Sequence, residues 1–219
     1  MPREIRSLDA PPQDTRDKIL ELAAVHFARS GYRGVGMRRL AADVGLSKSA
    51  LFHHFPTKLE LYGEVLDRVL ERLEFALDAG RTSLGGPVER LEAWIDSLVR
   101  SLAEEIPSAR LLMRTLVEEE PFPGFLLEPR AGRQMLSAEV RLARILGRFK
   151  GLLEEGVAAG VFRPVSIGDA IQTTLGAIVF HFASGDLGEA LLGESIFRVS
   201  AVERRRQEVS DFIRRGLLA

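Results

Sequence analysis

Apolar residues recur at helical spacing along nearly the whole chain. Ile19, Leu22, Ala23, His26 and Phe27 follow the i, i+3, i+4, i+7, i+8 rule that places them on one face of a helix. Asp14 or Thr15 can cap that helix and Gly31 can end it. Two short helices follow, at roughly 37–44 and 48–55, and Pro56 stops the second. Thr57 can cap a long helix whose stripe runs Leu61, Tyr62, Val65, Leu66, Val69, Leu70, Leu73, Ala76 and Leu77. After the loop GRTSLGGP, Pro87 opens a helix that buries Leu91, Trp94, Ile95, Leu98 and Leu102. Pro107 opens the next, through Leu111, Leu112, Thr115 and Leu116, until PFPGFLLEP breaks the pattern. A long helix is expected from about Arg133 to Ala159, then one through Ile167–Phe182. SGDLGEALLGES reads as a weakly ordered loop, and a last helix carries Val202, Val209, Phe212 and Ile213. No segment alternates as a strand does. The pattern predicts an all-α chain of about nine helices, without repeats.

The stretch DVGLSKSALFHHF, Asp43–Phe55, has two short helices pinched around Gly45, which supplies a left-handed residue for a tight turn. Leu46 can plug the angle between them, and Ser47 is a good N-cap for the second. Leu51 and Phe55, four apart, form the buried stripe, while Ala41 and Ala42 allow close approach. Lys48, Ser49, Phe52, His53 and His54 are left on the outward side. A short helix with hydrogen-bonding groups along its outer face fits the major groove of B-DNA, where first-turn residues reach base edges.

Charge supports this. The net charge is −1 over 219 residues, but residues 1 to 60 carry +3 and the remainder −4. Between Arg29 and Lys58 six basic residues (Arg29, Arg33, Arg38, Arg39, Lys48, Lys58) face one acid, Asp43. A local basic patch on a mildly acidic body suits a polyanion-binding head. A solvated surface face is the plainer alternative for a cluster of this size. The absence of cysteine excludes disulfides, thiolate metal sites and cysteine nucleophiles. No nucleophile elbow, glycine-rich phosphate loop, HExxH spacing or carboxylate pair in apolar context occurs, so no enzyme is expected. The N-terminus lacks a signal-peptide h-region and the longest apolar run is too short for a spanning helix, so the expectation is a cytoplasmic protein without a membrane partner.

TRDKILELAAVHFARSGYRGVGMRRLAADVGLSKSALFHHFPTKLELYGEVL, Thr15 to Val65 with its neighbours, resembles the TetR/AcrR family of bacterial transcriptional regulators. The matching pieces are FARSGY, MRRLAADVGLSKSALFHHF and PTKLEL. The resemblance implies a helix-turn-helix DNA-binding domain over residues 1–60, with 1–12 expected to be disordered, and a helical ligand-binding and dimerisation domain over 61–219. It implies DNA contacts from Arg38, Arg39, Lys48, Ser49, Phe52, His53, His54 and Lys58. Phe52 stands where the family usually has tyrosine, Val35 and Gly36 replace a threonine/serine, and Ala50 replaces a threonine, which removes hydroxyl contacts without disturbing the helices. It further implies a homodimer through the last two long helices, whose apolar faces need a cover.

The expected function is a ligand-responsive regulator, a repressor that binds a pseudo-palindromic operator on double-stranded DNA and is released by a small, largely apolar molecule. Trp94, Met113, Phe122, Phe125, Phe180 and His181 are the candidate effector contacts, each weighed against an ordinary core role. No cofactor and no metal are expected: the adjacent His53 and His54 point about 100° apart and cannot readily share an ion. His26 reads as a hydrogen-bonded structural residue. The alternatives are a regulator gated by a protein partner, and a helical scaffold or enzyme-like body with a vestigial head.

Overall fold

The computed structural model describes residues 15–80, 85–117 and 137–219. Ten helices run through them: α1 (Thr15–Gly34), α2 (Met37–Val44), α3 (Lys48–His54), α4 (Lys58–Gly80), α5 (Pro87–Glu104), α6 (Ile106–Val117), α7 (Ser137–Ala158), α8 (Ile167–Ala183), α9 (Asp186–Leu192) and α10 (Val199–Leu217). Apart from helices, the described backbone pairs Phe162 with Leu218 in an isolated antiparallel bridge. The fold is therefore all-α, as the periodicity predicts, with one helix more than the pattern shows. That helix is α9, in the stretch read as a loop. Its seven residues, between Gly185 and Gly193, both at positive φ, are too few to display a 3.6-residue period. It is fixed instead by tertiary packing, with Gly188 close against Ser184 and the fully buried Ile196.

The expected punctuation is present where it can be seen. Gly31 has φ 67° and ψ 175°, which breaks α1 inside its last stretch. Thr57 Oγ1 accepts from Glu60 N at 3.1 Å, and Pro87 occupies the first turn of α5. The expected start near Arg133 and the aromatics Phe122 and Phe125 lie outside the described residues, as does the N-terminal tail.

α1, α2 and α3 pack as a small unit, and α4 runs out of it into the body. α4 is held on both sides: it packs against α1, α5 and α7. One continuous core joins the two halves, from Ile19 and Phe27 through Tyr62 to Leu98 and Phe149. On the α4–α7 seam, acids and arginines at helical spacing meet as a ladder. Arg141 binds Asp67 at 2.9 Å and Glu74 at 2.9 Å, Arg144 binds Glu74 at 3.2 Å, and Arg148 binds Glu74 at 3.4 Å and Asp78 at 2.7 Å. Hydrogen bonding to Asp67 raises the Arg141 pKa above the usual guanidinium value, which burial opposes. Among the described residues no single helix is long and apolar enough to cross a membrane; α8 and α9 together approach that composition but are bent by 92°.

Candidate nucleic-acid interface and effector cleft

The turn between α2 and α3 is set by local chemistry. Gly45 takes φ 83°, so Leu46 N reaches Ala41 O at 2.8 Å and Gly45 N reaches Ala42 O at 3.0 Å, the paired bonds of a Schellman ending. Ser47 then caps α3, its Oγ accepting from Ala50 N at 3.1 Å. Leu51 and Phe55 are buried and pin α3 to the head, with Leu46 partly buried beside them. Lys48, Ser49 and His53 are exposed, and Phe52 and His54 half-buried. α3 packs chiefly on α2, so its outer face is clear of the body.

The other candidate positions have distinct surroundings. Arg38 and Arg39 are exposed on α2; the Arg39 guanidinium lies 3.9 Å from Asp43. Asp43, the acid within the basic stretch, also meets His26 Nε2 at 3.0 Å and so ties α2 to α1, in line with a structural role for His26. Lys58 is drawn inward: Nζ lies 3.4 Å from Arg33 O and 4.6 Å from the Tyr32 ring centre, and burial lowers its pKa. Val35 is buried, which gives a packing reason for an apolar residue there, and Gly36 caps α2 without a side-chain bond.

Two arginines escape the sequence reading. Arg16 donates from Nη1 to His54 O at 2.9 Å, grips Glu64 with Nε at 3.0 Å, and lies over the Phe55 ring at 4.3 Å. It fixes the end of α3 against α4. Arg114, on α6, donates to Ala28 O at 3.1 Å and Arg29 O at 3.3 Å, binding the body to late α1 carbonyls. Beside it, Thr115 Oγ1 bonds the Tyr62 hydroxyl at 3.0 Å, linking α6 to α4. These partners stand 38 to 86 residues apart, so no local pattern announces them.

In the body, Trp94 stacks face to face on Phe149 with centres 4.0 Å apart and 7° between planes. It lines two neighbouring spaces. One is an apolar void of 40 Å³, walled by α4, α5, α6, α7 and α8. The other is a cleft of 360 Å³ between α4, α5 and α7, which also has Leu77 and Ile145 in its wall. Met113 packs partly buried against the core but lines neither space. Phe180 and His181 line neither space; Phe180 is 51% exposed on α8.

His181 faces the α8–α10 packing. Its ring meets Phe182 edge-on at 4.9 Å, and Nε2 is buried with no hydrogen-bond partner among the described residues. Burial, helped by the charge of Arg205, pushes its pKa down from 6.5 to about 4. Folding therefore favours the neutral ring. On acidification the unfolded chain takes up this proton first, so stability is lost as pH falls from 6.5 towards 4 and changes no further below. With solvent screening of a partly exposed group, the loss is about 1–2 kcal/mol. Denaturant unfolding of wild type and His181→Gln at pH 7 and near pH 4.5 measures it: the wild type should lose more stability by that amount. Equal losses would assign His181 an ordinary pKa.

Residues 19–65 match the model of bacterial regulatory proteins, tetR family, and residues 130–213 match the tetracyclin repressor-like C-terminal domain; together these span more than half the chain. The HTH-type transcriptional repressor KstR2 of Mycolicibacterium smegmatis is 24% identical over 197 residues, 86% of this chain and 89% of that protein. The HTH-type transcriptional activator FasR of the same organism is 29% identical over 111 residues, so the match spans about half, 51%, of each chain. The crystal structure of AibR in complex with isovaleryl coenzyme A and operator DNA superposes with a TM-score of 0.65 at 18% identity, covering 94% of this chain and 98% of that one.

Proposed function

Because the chain belongs to the tetR family of bacterial regulatory proteins, and is a helix-turn-helix transcriptional regulator, we propose that it is a repressor: a homodimer on a pseudo-palindromic operator, released when a small molecule enters the body. The observation that carries this reading is the outer face of α3, where Lys48, Ser49 and His53 stand in solvent on a helix rigidly seated by Leu51, Phe55 and the Ser47 cap. Residues 1–60 are the DNA-binding domain and 61–219 the effector and dimerisation domain.

Lys48, Ser49 and His53 enter the major groove, and Arg38, Arg39, His54 and Lys58 meet flanking phosphates, with Phe52 against sugar. Lys58 would leave the Arg33 carbonyl to do so. Dimerisation is supported by α8 and α10, which leave Phe180 51%, Phe212 66% and Val199 88% exposed on neighbouring helices. Large apolar groups left exposed on these two helices are of the kind an isologous interface covers. Two recognition helices then meet half-sites about one turn of DNA, roughly 34 Å, apart or a multiple of it. Repression, through competition with polymerase, is supported by the extended match to the repressor KstR2.

The effector acts by differential affinity for two positions of α4. α4 carries Lys58 at the DNA end and Leu77 in the wall of both body spaces, so a displacement at one end is felt at the other.

Fluorescence anisotropy with mixed genomic fragments, followed by sequencing of the retained DNA, tests the function. Salt-sensitive binding to a twofold-symmetric sequence is expected; its absence would reject the reading. Within that assay Lys58→Ala should weaken all sequences alike and flatten the salt slope by about 0.9. His53→Ala should instead cost about 1–3 kcal/mol at the preferred site only. Identical effects of the two changes on every sequence would argue against this placement of α3.

A further inference from the structure

The cleft between α4, α5 and α7 has an uneven chemistry. Leu77, Trp94, Ile145 and Leu152 form an apolar wall, and Arg90 and Arg148 stand among them with the acids Asp78 and Glu155. Both arginines are already engaged at one end. Arg90 Nη2 is paired with Glu155, yet its Nε is buried and has no hydrogen-bond partner among the described residues. Arg148 reaches Asp78 and Glu74, and Asp78 is the last acid of the α4–α7 ladder. A buried donor without an acceptor invites one, and an anion is the acceptor a guanidinium holds best. On the inner side the wall is shared: Leu77, Trp94 and Ile145 also line the apolar void. The cleft thus offers two guanidinium groups, each paired with a carboxylate of the same lining, beside a hydrocarbon wall.

We propose that this cleft binds an amphiphile, an anionic head on a hydrocarbon chain, with the head on Arg90 and Arg148 and the chain laid along Trp94 towards the apolar void. The volume of 360 Å³ lies within the range of small-molecule sites. The inference rests on the effector reading above and specifies its chemistry. It also specifies how the signal leaves the site. The head competes with Asp78 for Arg148, so the guest loosens the rung of the ladder that ties the far end of α4 to α7. Asp78 is thus an internal competitor: it holds the arginine when the cleft is empty and opposes the ligand when it fills.

The chain contains one tryptophan, and it is Trp94, so its emission reads the site directly. The full-length protein is titrated with decanoate, decanol and decanoyl-coenzyme A, with wild type, Arg90→Gln, Arg148→Gln and Asp78→Asn compared. Saturable binding of an anionic form is expected, with decanol at least about tenfold weaker, as loss of a charge-assisted hydrogen bond implies. Each arginine change should weaken the anion about tenfold and leave decanol unaltered. Asp78→Asn should tighten anion binding severalfold, which a merely structural role for Asp78 would not do. Preference for decanoate assigns the head to a carboxylate; preference for the thioester assigns it to the phosphates of coenzyme A. Either supports the amphiphile.

Decanol binding as well as the anions, no saturable binding by any of the three, or weaker anion binding in Asp78→Asn would overturn the proposal. Since Arg148 also supports Glu74, thermal midpoints of the free variants are recorded, and Arg90→Gln carries the test if Arg148→Gln unfolds. The two readings fail separately. Anion binding that leaves DNA affinity unchanged would reject effector control while the site stands. DNA binding without any amphiphile site would do the reverse.

Discussion

Replacing Phe27 with alanine is expected to lower stability by about 3–5 kcal/mol, the range for emptying a buried phenylalanine site. Phe27 is fully buried near the end of α1. Its ring meets Tyr62 of α4 edge-on, centres 4.9 Å apart at 88°, and Tyr32 meets the same tyrosine at 5.3 Å. These three rings form the junction of head and body, and the Tyr62 hydroxyl carries the connection on to Thr115 of α6. The loss is therefore both of buried area and of the surface on which α4 is seated. For a chain of this length the thermal midpoint should fall by roughly 10 °C, at about 2–4 °C per kcal/mol. Phe27→Leu, which keeps most of the volume, should cost less than half as much. A midpoint shift under about 2 °C for the alanine variant would show that the junction collapses to fill the space.

Gly156→Ala should destabilise by about 3 kcal/mol, at the upper end of overpacking penalties. The usual expectation has the opposite sign, because alanine in a helix is favoured over glycine by about 1 kcal/mol. Here a Cβ would lie 2.9 Å from Phe162 Cγ and nearer still to Cδ2 and Cε2. The ring cannot step aside easily. Val161 N and Phe162 N both bond Gly156 O at 3.0 Å, Arg163 N bonds Leu217 O at 2.8 Å, and Phe162 is buried. The chain end thus clamps the segment from the far side. Gly147, on the same helix, has nothing among the described residues within 4 Å of its would-be Cβ. Gly147→Ala should accordingly stabilise by about 0.4–1 kcal/mol. Chemical denaturation of the two variants gives the contrast, and the same sign for both would mean that Phe162 does not constrain Gly156.

Much of the candidate interface is legible without coordinates. Gly45, Ser47, Leu51 and Phe55 act within a few residues of one another, and the bonds they make are those the spacing implies. The long stripes of α4, α5 and α8 likewise identify the buried faces, since the period of a helix is a local property. The inward turn of Lys58 is not legible, because its acceptor, the Arg33 carbonyl, is offered only when α1 and α4 have packed. Nor is the cleft. Trp94 belongs to it, but Arg90, Arg148 and Asp78 look in sequence like ordinary solvated charges on helix faces.

What the sequence alone determined is the all-α architecture, the turn that presents α3, and the exposed side of that helix. Each depends on backbone caps and on a periodicity completed within one or two turns, where chain connectivity already places the partners. Tertiary structure decided α9, the grips of Arg16 and Arg114, and the meeting of Arg90 with Arg148 beside Trp94. Those groups are neighbours only because separate helices bury their apolar faces against one another. Burial is non-directional, so it leaves no residue-by-residue record of which charges the packing will bring together.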